Sequence, residues 1–361
     1  MTVRFLLLLV TFLLVQCQAT VNPGELLLNQ IQVIGSHNSY KVAIDEVAMA
    51  QIARDNPAAA RSLDYAHVPI AEQLTLGLRN LELDVFHDPA GGLYASPVGA
   101  ALPGATPFDP DGEMQKPGFK VLHAQDIDFR SHCALLVGCL EQIVAWSLAN
   151  DGHLPVFVLI NAKDGAIDLP GFTVPLRFDE MAWRDLDAEI RLGLKDRLLT
   201  PDDVRGTFAT LRQAVLAGWP PLAQVRGKVI VVLDDSAAKK ASYLSGHPSA
   251  AGRAMFVDVP ADSPAAAIMV MNNPLGQREE IEALVRQGFI VRTRADADTR
   301  EARVGDLARL QAALASGAQI ISTDYYLPEP RFGHGFHVTL PGGDRVRCNP
   351  VLTRAPCKVR P

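Results

Sequence analysis

Two short stretches of the sequence bring together side chains that can carry acid–base and metal chemistry. One has His37 next to Asn38, and the other has Glu82 and Asp84 inside an apolar run. In a β-strand, residues two apart project from the same face, so the two carboxylates should lie side by side. Such carboxylates repel each other unless a cation or a proton lies between them. The pattern predicts a hard-metal site with an imidazole beside it; ion pairs of the two acids, for example with Arg79, are the alternative.

Further polar residues end other apolar runs and should meet at one end of the fold. His123 would form a pair with His37, which suits proton transfer to and from a substrate. Arg292 and Arg294 alternate onto one strand face and suit an anionic phosphate. The remaining candidates are one amide that could ligate a metal and two residues that could bind substrate: Asn161, Lys163 and Tyr325. Four nearby polar residues are interpreted as solvated loop residues: His87, Asp88, Asp234 and Asp235.

The apolar runs that must position these residues are typical of buried strands. Eight are predicted, at residues 32–34, 81–86, 120–122, 156–160, 229–233, 268–271, 289–291 and 320–321, and residues 254–257 could form another. Helical patterns lie between many of them, at residues 140–148, 185–198 and 276–286, and Thr200 with Pro201 predicts a further helix start. Strands alternating with helices predict an α/β fold, a TIM (β/α)8 barrel that need not be regular. A doubly wound open sheet is the alternative, although no Gly-x-Gly-x-x-Gly follows the first strand.

The chain begins with a predicted targeting segment. Arg4, a short apolar core and closing small residues predict that residues 1–19 are a cleaved signal peptide, with lipid attachment at Cys17 as the alternative. Residues 20–361 would then form a single exported domain, secreted or periplasmic. Export favours disulfides, and close spacing favours Cys133–Cys139 and Cys348–Cys357 over buried free thiols. Residues 90–117 should be a long surface loop, and residues 328–361 an irregular tail pinned by a disulfide.

Three motifs in combination resemble those of a known family. His37-Asn38-Ser39-Tyr40, Leu81-Glu82-Leu83-Asp84 and Val121-Leu122-His123 are similar to motifs of the phosphoinositide-specific phospholipases C. More broadly they resemble the phospholipase C-like and glycerophosphodiester phosphodiesterase superfamily, which has a TIM-barrel fold. Residues 160–164 and 200–206 resemble a calcium-dependent, secreted bacterial branch, and the resemblance covers roughly residues 25–330.

The resemblance implies a role for each matching residue. His37 matches the histidine that stabilises charge on the phosphoryl group, and His123 matches the one that protonates the departing alcohol. Three residues match calcium ligands: Asn38, Glu82 and Asp84. Asn161 stands where the animal enzymes carry an acidic ligand, which lowers the ligand charge by one, although Ca2+ also accepts amide oxygens. An all-oxygen set suits Ca2+ or Mg2+, and Glu82 could be both ligand and general base.

We therefore expect a metal-dependent phosphodiesterase that cleaves phosphatidylinositol-type lipids to diacylglycerol and a cyclic inositol phosphate. A phosphodiesterase for glycerophosphodiesters or sphingolipid-type head groups is the first alternative, and a barrel that binds without turnover is the second. Membrane contact should be transient, since no polybasic patch or strong amphipathic helix is present. Phe108 and Phe119 are candidates for an apolar rim. The net charge of −6 without a basic block argues against nucleic acid, and no obligate protein partner is evident.

Overall fold

The computed structural model describes residues 25–353, 357 and 359. The predicted signal peptide at residues 1–19, including Cys17, lies outside the described residues. The strands are β1 Ile31–Ser36, β2 Asn80–Phe86, β3 Lys120–Val121, β4 Val156–Ala162, β5 Val229–Leu233, β6 Phe256–Val257, β7 Ile268–Val270, β8 Ile290–Arg294, β9 Ile320–Thr323 and β10 Val346–Cys348.

Helices follow most of the strands. They are α1 Glu46–Asp55, α2 Pro57–Leu63, α3 Ile70–Thr75, α4 Leu136–Ala149, α5 Glu180–Leu194, α6 Pro201–Arg205, α7 Leu211–Ala217, α8 Leu222–Val225, α9 Ala237–Leu244, α10 Pro274–Gln287, α11 Arg300–Val304 and α12 Ala308–Ala315. Short 3-10 turns lie at Leu28–Gln30, Val98–Ala101, Glu113–Gln115, Lys195–Arg197, Pro248–Ala250 and Pro330–Phe332. Of these described helices, none is both long and apolar enough to cross a bilayer.

The strands form two five-stranded sheets with the orders β10-β1-β9-β8-β7 and β3-β2-β4-β5-β6. Four strands of each sheet run parallel, and β3 and β10 are antiparallel edge strands. The sheets meet where β1 approaches β2 and where β6 approaches β7. The regular ladder is interrupted at both seams, so the predicted TIM barrel is confirmed in an irregular form.

Glycine is required at the seam between β1 and β2. A Cβ added to Gly35 would lie 2.3 Å from the Cβ of Asn80, far inside contact distance. The close approach lets the Arg79 backbone N–H donate to the Ile34 carbonyl at 2.9 Å. The end of β1 is thereby held beside β2, and these two segments carry the first candidate site residues.

The outer faces of the strands pack against the helices, and the inner faces pack against one another inside the barrel. On β2, Leu81 and Leu83 pack outward into the same core cluster as residues of α4 and α5. On β4, Phe157 and Leu159 join an inner cluster with β5, β7 and β8 residues, and Asn161 follows two residues later on the same face. The barrel interior is therefore apolar towards the amino ends of the strands and polar at their carboxyl ends.

One strand assignment needs correction. The predicted third barrel strand, residues 120–122, is the antiparallel edge strand β3, whereas the uncertain run at residues 254–257 contains β6, which belongs to the parallel set. Apolar composition does not reveal strand direction, which explains the exchange.

Most other predicted elements are confirmed. The helix start at Thr200 has a capping box with Asp203, and α10 ends at Gly288 in the left-handed conformation. Both favoured disulfides, Cys133–Cys139 and Cys348–Cys357, are present. The tail is more ordered than predicted, because β10 pairs with β1.

Candidate active site

His37 is oriented by a carboxylate from the far end of the chain. It lies just beyond β1, and Asp324 lies just beyond β9, where Ser36 and Thr323 are register partners. His37 Nδ1 is 2.8 Å from Asp324 Oδ1. With Nδ1–H donating to this carboxylate, Nε2 is left free to exchange a proton or accept a hydrogen bond. Arg294 Nη1 is 3.3 Å from Nε2.

Asp324 stays ionised although it is buried. Burial alone would raise its pKa, but the charges of His37 and Arg294 outweigh burial and hold the pKa well below its ordinary value. Arg294 Nη2 donates to Asp324 Oδ2 at 2.9 Å. A second buried acid, Asp296, accepts from the Asp324 backbone N–H at 2.9 Å, and burial together with the Asp324 charge raises its pKa. The site therefore keeps one firmly ionised carboxylate against His37.

Glu82 and Asp84 each lie against a basic side chain. Glu82 Oε2 pairs with Arg292 Nη2, and Glu82 Oε1 is 3.7 Å from His37 Nε2. Burial acts to raise the pKa of Glu82, but Arg292 and His37 outweigh it, so the pKa is lowered. Asp84 Oδ2 is 3.0 Å from Lys163 Nζ.

The suggested partner Arg79 is not involved with either acid. Its guanidinium donates to the backbone oxygens of Leu74 and Leu78 and lies over the Trp146 ring.

The donor set of these residues fits a calcium ion. Among residues 25–353, 357 and 359, no three His, Cys, Asp or Glu side chains form a cluster for a metal. The Asn38 amide nitrogen donates to Tyr65 Oη at 2.8 Å, and that of Asn161 donates to the Asp234 carbonyl at 2.8 Å. These bonds leave the oxygen of each amide available.

The acidic oxygens also have capacity for a cation. Asp84 Oδ2 is buried and lacks an aligned hydrogen bond despite its ion pair with Lys163. Asp84 and Asn161 are register partners on β2 and β4, so they lie side by side. Two carboxylates and two amide oxygens are donors that Ca2+ accepts.

His123 is aligned by a second carboxylate. It lies in a tight turn after β3, and its Nδ1 is 2.8 Å from Asp128 Oδ2. Lys41 Nζ is 2.9 and 2.7 Å from the two oxygens of Asp128, and all three atoms are buried. Burial acts to raise the pKa of Asp128, but its bonds to His123 and Lys41 outweigh burial and lower it. Lys41 lies four residues after His37, so one segment supports both histidines.

Tyr65 and His67 support the segment that carries His37 and Asn38. Tyr65 Oη accepts from Asn38 and lies 3.5 Å from His37 Nδ1. His67 Nε2 is 2.7 Å from the His37 carbonyl. Burial lowers the pKa of His67 to about 4, so it is neutral and donates this bond. Neither residue belongs to a recognisable sequence motif, because the role of each arises only from packing against His37.

The substrate-binding candidates occupy different positions. Lys163 and Arg294 lie at the site, and Arg292 is buried between Glu82 and Ser322. Tyr325 is not brought to the others, since its ring packs against Phe332 and Phe336.

The four residues interpreted as solvated are largely enclosed. His87 and Asp88 are buried, and Asp88 lies 3.3 Å from Lys120 Nζ. Burial raises the pKa of Asp234 to about 7, against the charge of Arg292. Asp235 accepts from the Ala162 backbone N–H at 2.9 Å. The interpretation as solvated loop residues is therefore wrong for His87 and Asp88, whereas Asp234 and Asp235 are partly exposed.

Solved structures with a similar fold include proteins from two bacteria. A calcium-dependent phosphoinositol-specific phospholipase C from the Gram-negative Pseudomonas sp., in its apo form, is 18% identical with a TM-score of 0.53 over 91% of this chain and 98% of that chain. A second structure of the Pseudomonas enzyme, described as a myoinositol complex, is 18% identical. Its TM-score is 0.52 over 90% of this chain and 96% of that chain. A Ca2+-dependent phosphatidylinositol-specific phospholipase C from Streptomyces antibioticus is 19% identical. Its TM-score is 0.54 over 83% of this chain and 95% of that chain. At such identities these similarities concern the fold.

Comparison by sequence gives the family. No curated protein matches the chain. The family model described as phosphoinositide phospholipase C, Ca2+-dependent, matches residues 26–350, which include all the site residues above. The chain belongs to this calcium-dependent phosphoinositide phospholipase C family of phosphodiester-cleaving enzymes.

Proposed function

We propose that the chain is an exported, calcium-dependent phospholipase C that converts phosphatidylinositol-type lipids to diacylglycerol and a cyclic inositol phosphate. The observation that carries the proposal is a pair of imidazoles, His37 and His123, each aligned by its own buried carboxylate beside the strand that bears Glu82 and Asp84. Acid–base chemistry across one phosphodiester needs two such proton carriers.

The nucleophile would be the 2-hydroxyl of the inositol itself. Attack within one molecule avoids the entropy cost of capturing water. Glu82 would accept the hydroxyl proton as the new O–P bond forms, because its pKa is low enough to keep it ionised and Arg292 fixes one of its oxygens. His37, held by Asp324, would donate a hydrogen bond to a non-bridging phosphoryl oxygen.

His123 would supply the second proton. As the bond from phosphorus to the glycerol oxygen breaks, the imidazole gives its Nε2 proton to that oxygen, and diacylglycerol leaves. Asp128 accepts from Nδ1, which would hold the ring in one orientation and leave Nε2 as the atom that gives up the proton. One proton moves from the inositol hydroxyl to Glu82 and one from His123 to the leaving alcohol, so the step is balanced.

Four residues would hold the calcium ion that the family description implies: Asn38, Glu82, Asp84 and Asn161. A divalent ion bound there would polarise a phosphoryl oxygen as a Lewis acid. The similarity to a Pseudomonas protein determined with myoinositol supports an inositol head group. The two disulfides support an oxidising destination such as the periplasm or the cell exterior.

The test is incubation of purified protein with phosphatidylinositol, phosphatidylcholine and glycerophosphoinositol, each with Ca2+, Mg2+ or chelator, followed by 31P NMR. A cyclic inositol phosphate formed from phosphatidylinositol and lost with chelator is expected. Cleavage of glycerophosphoinositol alone would replace the proposal with the glycerophosphodiesterase alternative. Glu82→Gln should abolish turnover, whereas Glu282→Gln, a matched change in an exposed ion pair of α10, should not.

A further inference from the structure

Gln73 is a fully buried amide on α3, outside the motifs and outside the catalytic steps. Both ends of its side chain are hydrogen-bonded. Nε2 donates to the Ser39 carbonyl at 2.6 Å and to the Val68 carbonyl at 2.7 Å, and Oε1 accepts from the Ser36 hydroxyl at 2.6 Å. A buried network of this kind holds its members in one arrangement, because each polar atom that lost its partner would stay desolvated.

The first segment that Gln73 contacts is the turn from Ser36 to Ser39. His37 and Asn38 lie between the two serines, and Gln73 is bonded to both serines. Asn38 has a left-handed φ of 47°, a conformation that costs energy for a residue with a Cβ. The surrounding contacts must therefore hold the turn in this shape, and Gln73 does so at both of its ends.

The hydrogen bonds of the turn form a chain with one direction. The Glu82 backbone N–H donates to the Ser39 hydroxyl oxygen at 2.8 Å. The Ser39 and Ser36 hydroxyl oxygens lie 2.6 Å apart, and Ser36 gives its proton to Gln73, so Ser39 must donate to Ser36. Gln73 sets this order, because its Nε2 faces two carbonyls and only its Oε1 can accept. The Ser39 N–H also donates to the Glu82 carbonyl at 2.9 Å, which joins the turn to β2.

The second segment that Gln73 contacts, residues 65–68, supports the same turn. Tyr65 Oη accepts from the Asn38 amide at 2.8 Å, and His67 Nε2 lies 2.7 Å from the His37 carbonyl. One side chain on α3 is therefore bonded both to the turn and to the segment that packs against it.

The helix that carries Gln73 is itself firmly packed. Ile70 and Leu74 of α3 are fully buried in the core cluster that includes Leu81 and Leu83 of β2. The amide thus projects from an element whose position relative to β2 is fixed.

We propose that Gln73 is a positioning residue that holds His37 and Asn38 in register with the carboxylates of β2, for calcium binding and for proton transfer. Its side chain acts through the two serines and not on the reacting atoms. The effect on turnover rests on the proposed function, whereas the effects on the turn and on calcium are measured without substrate. Removing a residue that orients metal ligands typically lowers metal affinity about 10- to 100-fold, and a shift of about 1 Å in a catalytic group can cost about 10²-fold in rate.

The test compares Gln73→Met with Gln319→Met, since methionine keeps the length of the side chain and removes its hydrogen bonds. Gln319 is the matched control because it is also buried and also makes three bonds. Its Nε2 donates to the Asn29 and Phe289 carbonyls at 3.1 and 3.2 Å, and its Oε1 accepts from the Val291 N–H at 2.9 Å. It lies just before β9, at the end of the barrel away from the site. Both variants should melt at a lower temperature than the wild type.

Three measurements separate positioning from a general loss of stability. In the metal-free protein, hydrogen exchange at residues 37–41 should be faster in Gln73→Met and unchanged in Gln319→Met. Calcium affinity from titration calorimetry should fall about tenfold in Gln73→Met only. At saturating calcium, kcat of Gln73→Met on phosphatidylinositol should fall about 10²-fold with little change in KM. Wild-type exchange, affinity and kcat in Gln73→Met would overturn the proposal, as would equal losses in both variants.

Ser36→Ala tests the same chain of bonds if Gln73→Met does not fold. It deletes one hydroxyl and leaves the Gln73 amide bonded to two backbone carbonyls. The control is Ser147→Ala, which removes a buried hydroxyl that pairs with His153 Nε2 at 2.7 Å on α4. We expect calcium affinity and kcat to fall about fivefold in Ser36→Ala and to stay at wild-type values in the control. Equal values in the two serine variants would overturn the proposal.

The proposed function and the role of Gln73 fail in different ways. If the wild type binds calcium but cleaves no phosphatidylinositol, the proposed function is wrong, and exchange and calcium affinity still decide the role of Gln73. If the wild type cleaves the lipid and Gln73→Met matches it in exchange, affinity and kcat, the function stands and Gln73 has no positioning role.

Discussion

Replacing Lys163 with methionine tests whether its ammonium group takes the place of a cation beside Asp84 in the metal-free protein. The two charges lie 3.0 Å apart, and the lysine side chain is 32% exposed. At an effective dielectric of about 20, such a pair attracts by about 5 kcal/mol. Desolvation and side-chain entropy offset most of that, so about 1–2 kcal/mol is a reasonable net value.

A calcium ion that binds Asp84 must displace this ammonium group. Lys163→Met removes the competitor, so calcium should bind about 5- to 30-fold more tightly, since each 1.4 kcal/mol is tenfold. The metal-free variant should also be less stable than the wild type, because a buried carboxylate loses its partner. Calcium should therefore raise the melting temperature of the variant by more than that of the wild type.

Isothermal titration calorimetry on chelator-stripped protein measures the affinity, and thermal unfolding with and without calcium measures the second effect. Lys228→Met is the control, because Lys228 donates to the Asp196 carbonyl at the opposite end of the barrel. Calcium affinity that is unchanged or weaker in Lys163→Met would refute the competition between the ammonium group and the metal.

Three further predictions concern the supports of the site. Burial depresses the pKa of His67 from 6.5 to about 4. As the pH falls, the His67 imidazole is therefore protonated in the unfolded chain before it is protonated in the folded one. The free energy of unfolding should fall by up to about 3 kcal/mol as the pH drops from 6.5 towards 4. Urea unfolding across this range should show the slope, and His67→Gln should lose it. Gly35→Ala should destabilise the fold by about 2–4 kcal/mol because its Cβ meets β2, whereas Gly138→Ala, with open space around it, should not. Asp128→Asn should lower kcat by about 10²-fold or more, with little change in KM, because His123 loses the carboxylate that aligns it.

Each of these has a contrary outcome. An unfolding free energy of His67→Gln that falls with pH as steeply as in the wild type would mean that another group titrates. Equal stability of Gly35→Ala and Gly138→Ala would mean that the β1–β2 seam tolerates a wider spacing. A wild-type kcat in Asp128→Asn would remove His123 as the acid.

The parts of the fold that the sequence predicts are those with a local cause. Buried parallel strands are continuous apolar runs, which is why β4 and β5 were found within a residue or two. Helix caps are equally local, as at Thr200. Strands of two residues, β3 and β6, have too short a pattern to reveal direction, so their roles were exchanged.

The candidate site likewise has residues that the sequence predicts and residues that it does not. The histidines and acids were recognisable from short motifs, but their partners are set by tertiary structure. Asp324 reaches His37 across 287 positions of sequence, and no local pattern links them. Lys41 and Asp128 are 87 residues apart and meet only because β3 folds back on β2.

The most direct measurement is a crystal structure of the protein with calcium and an inositol phosphate bound. We expect calcium among the oxygens of Asn38, Glu82, Asp84 and Asn161, with Lys163 moved off Asp84, and the phosphate within hydrogen-bond distance of His37 and His123. Calcium bound elsewhere, or a phosphate that meets neither imidazole, would contradict it.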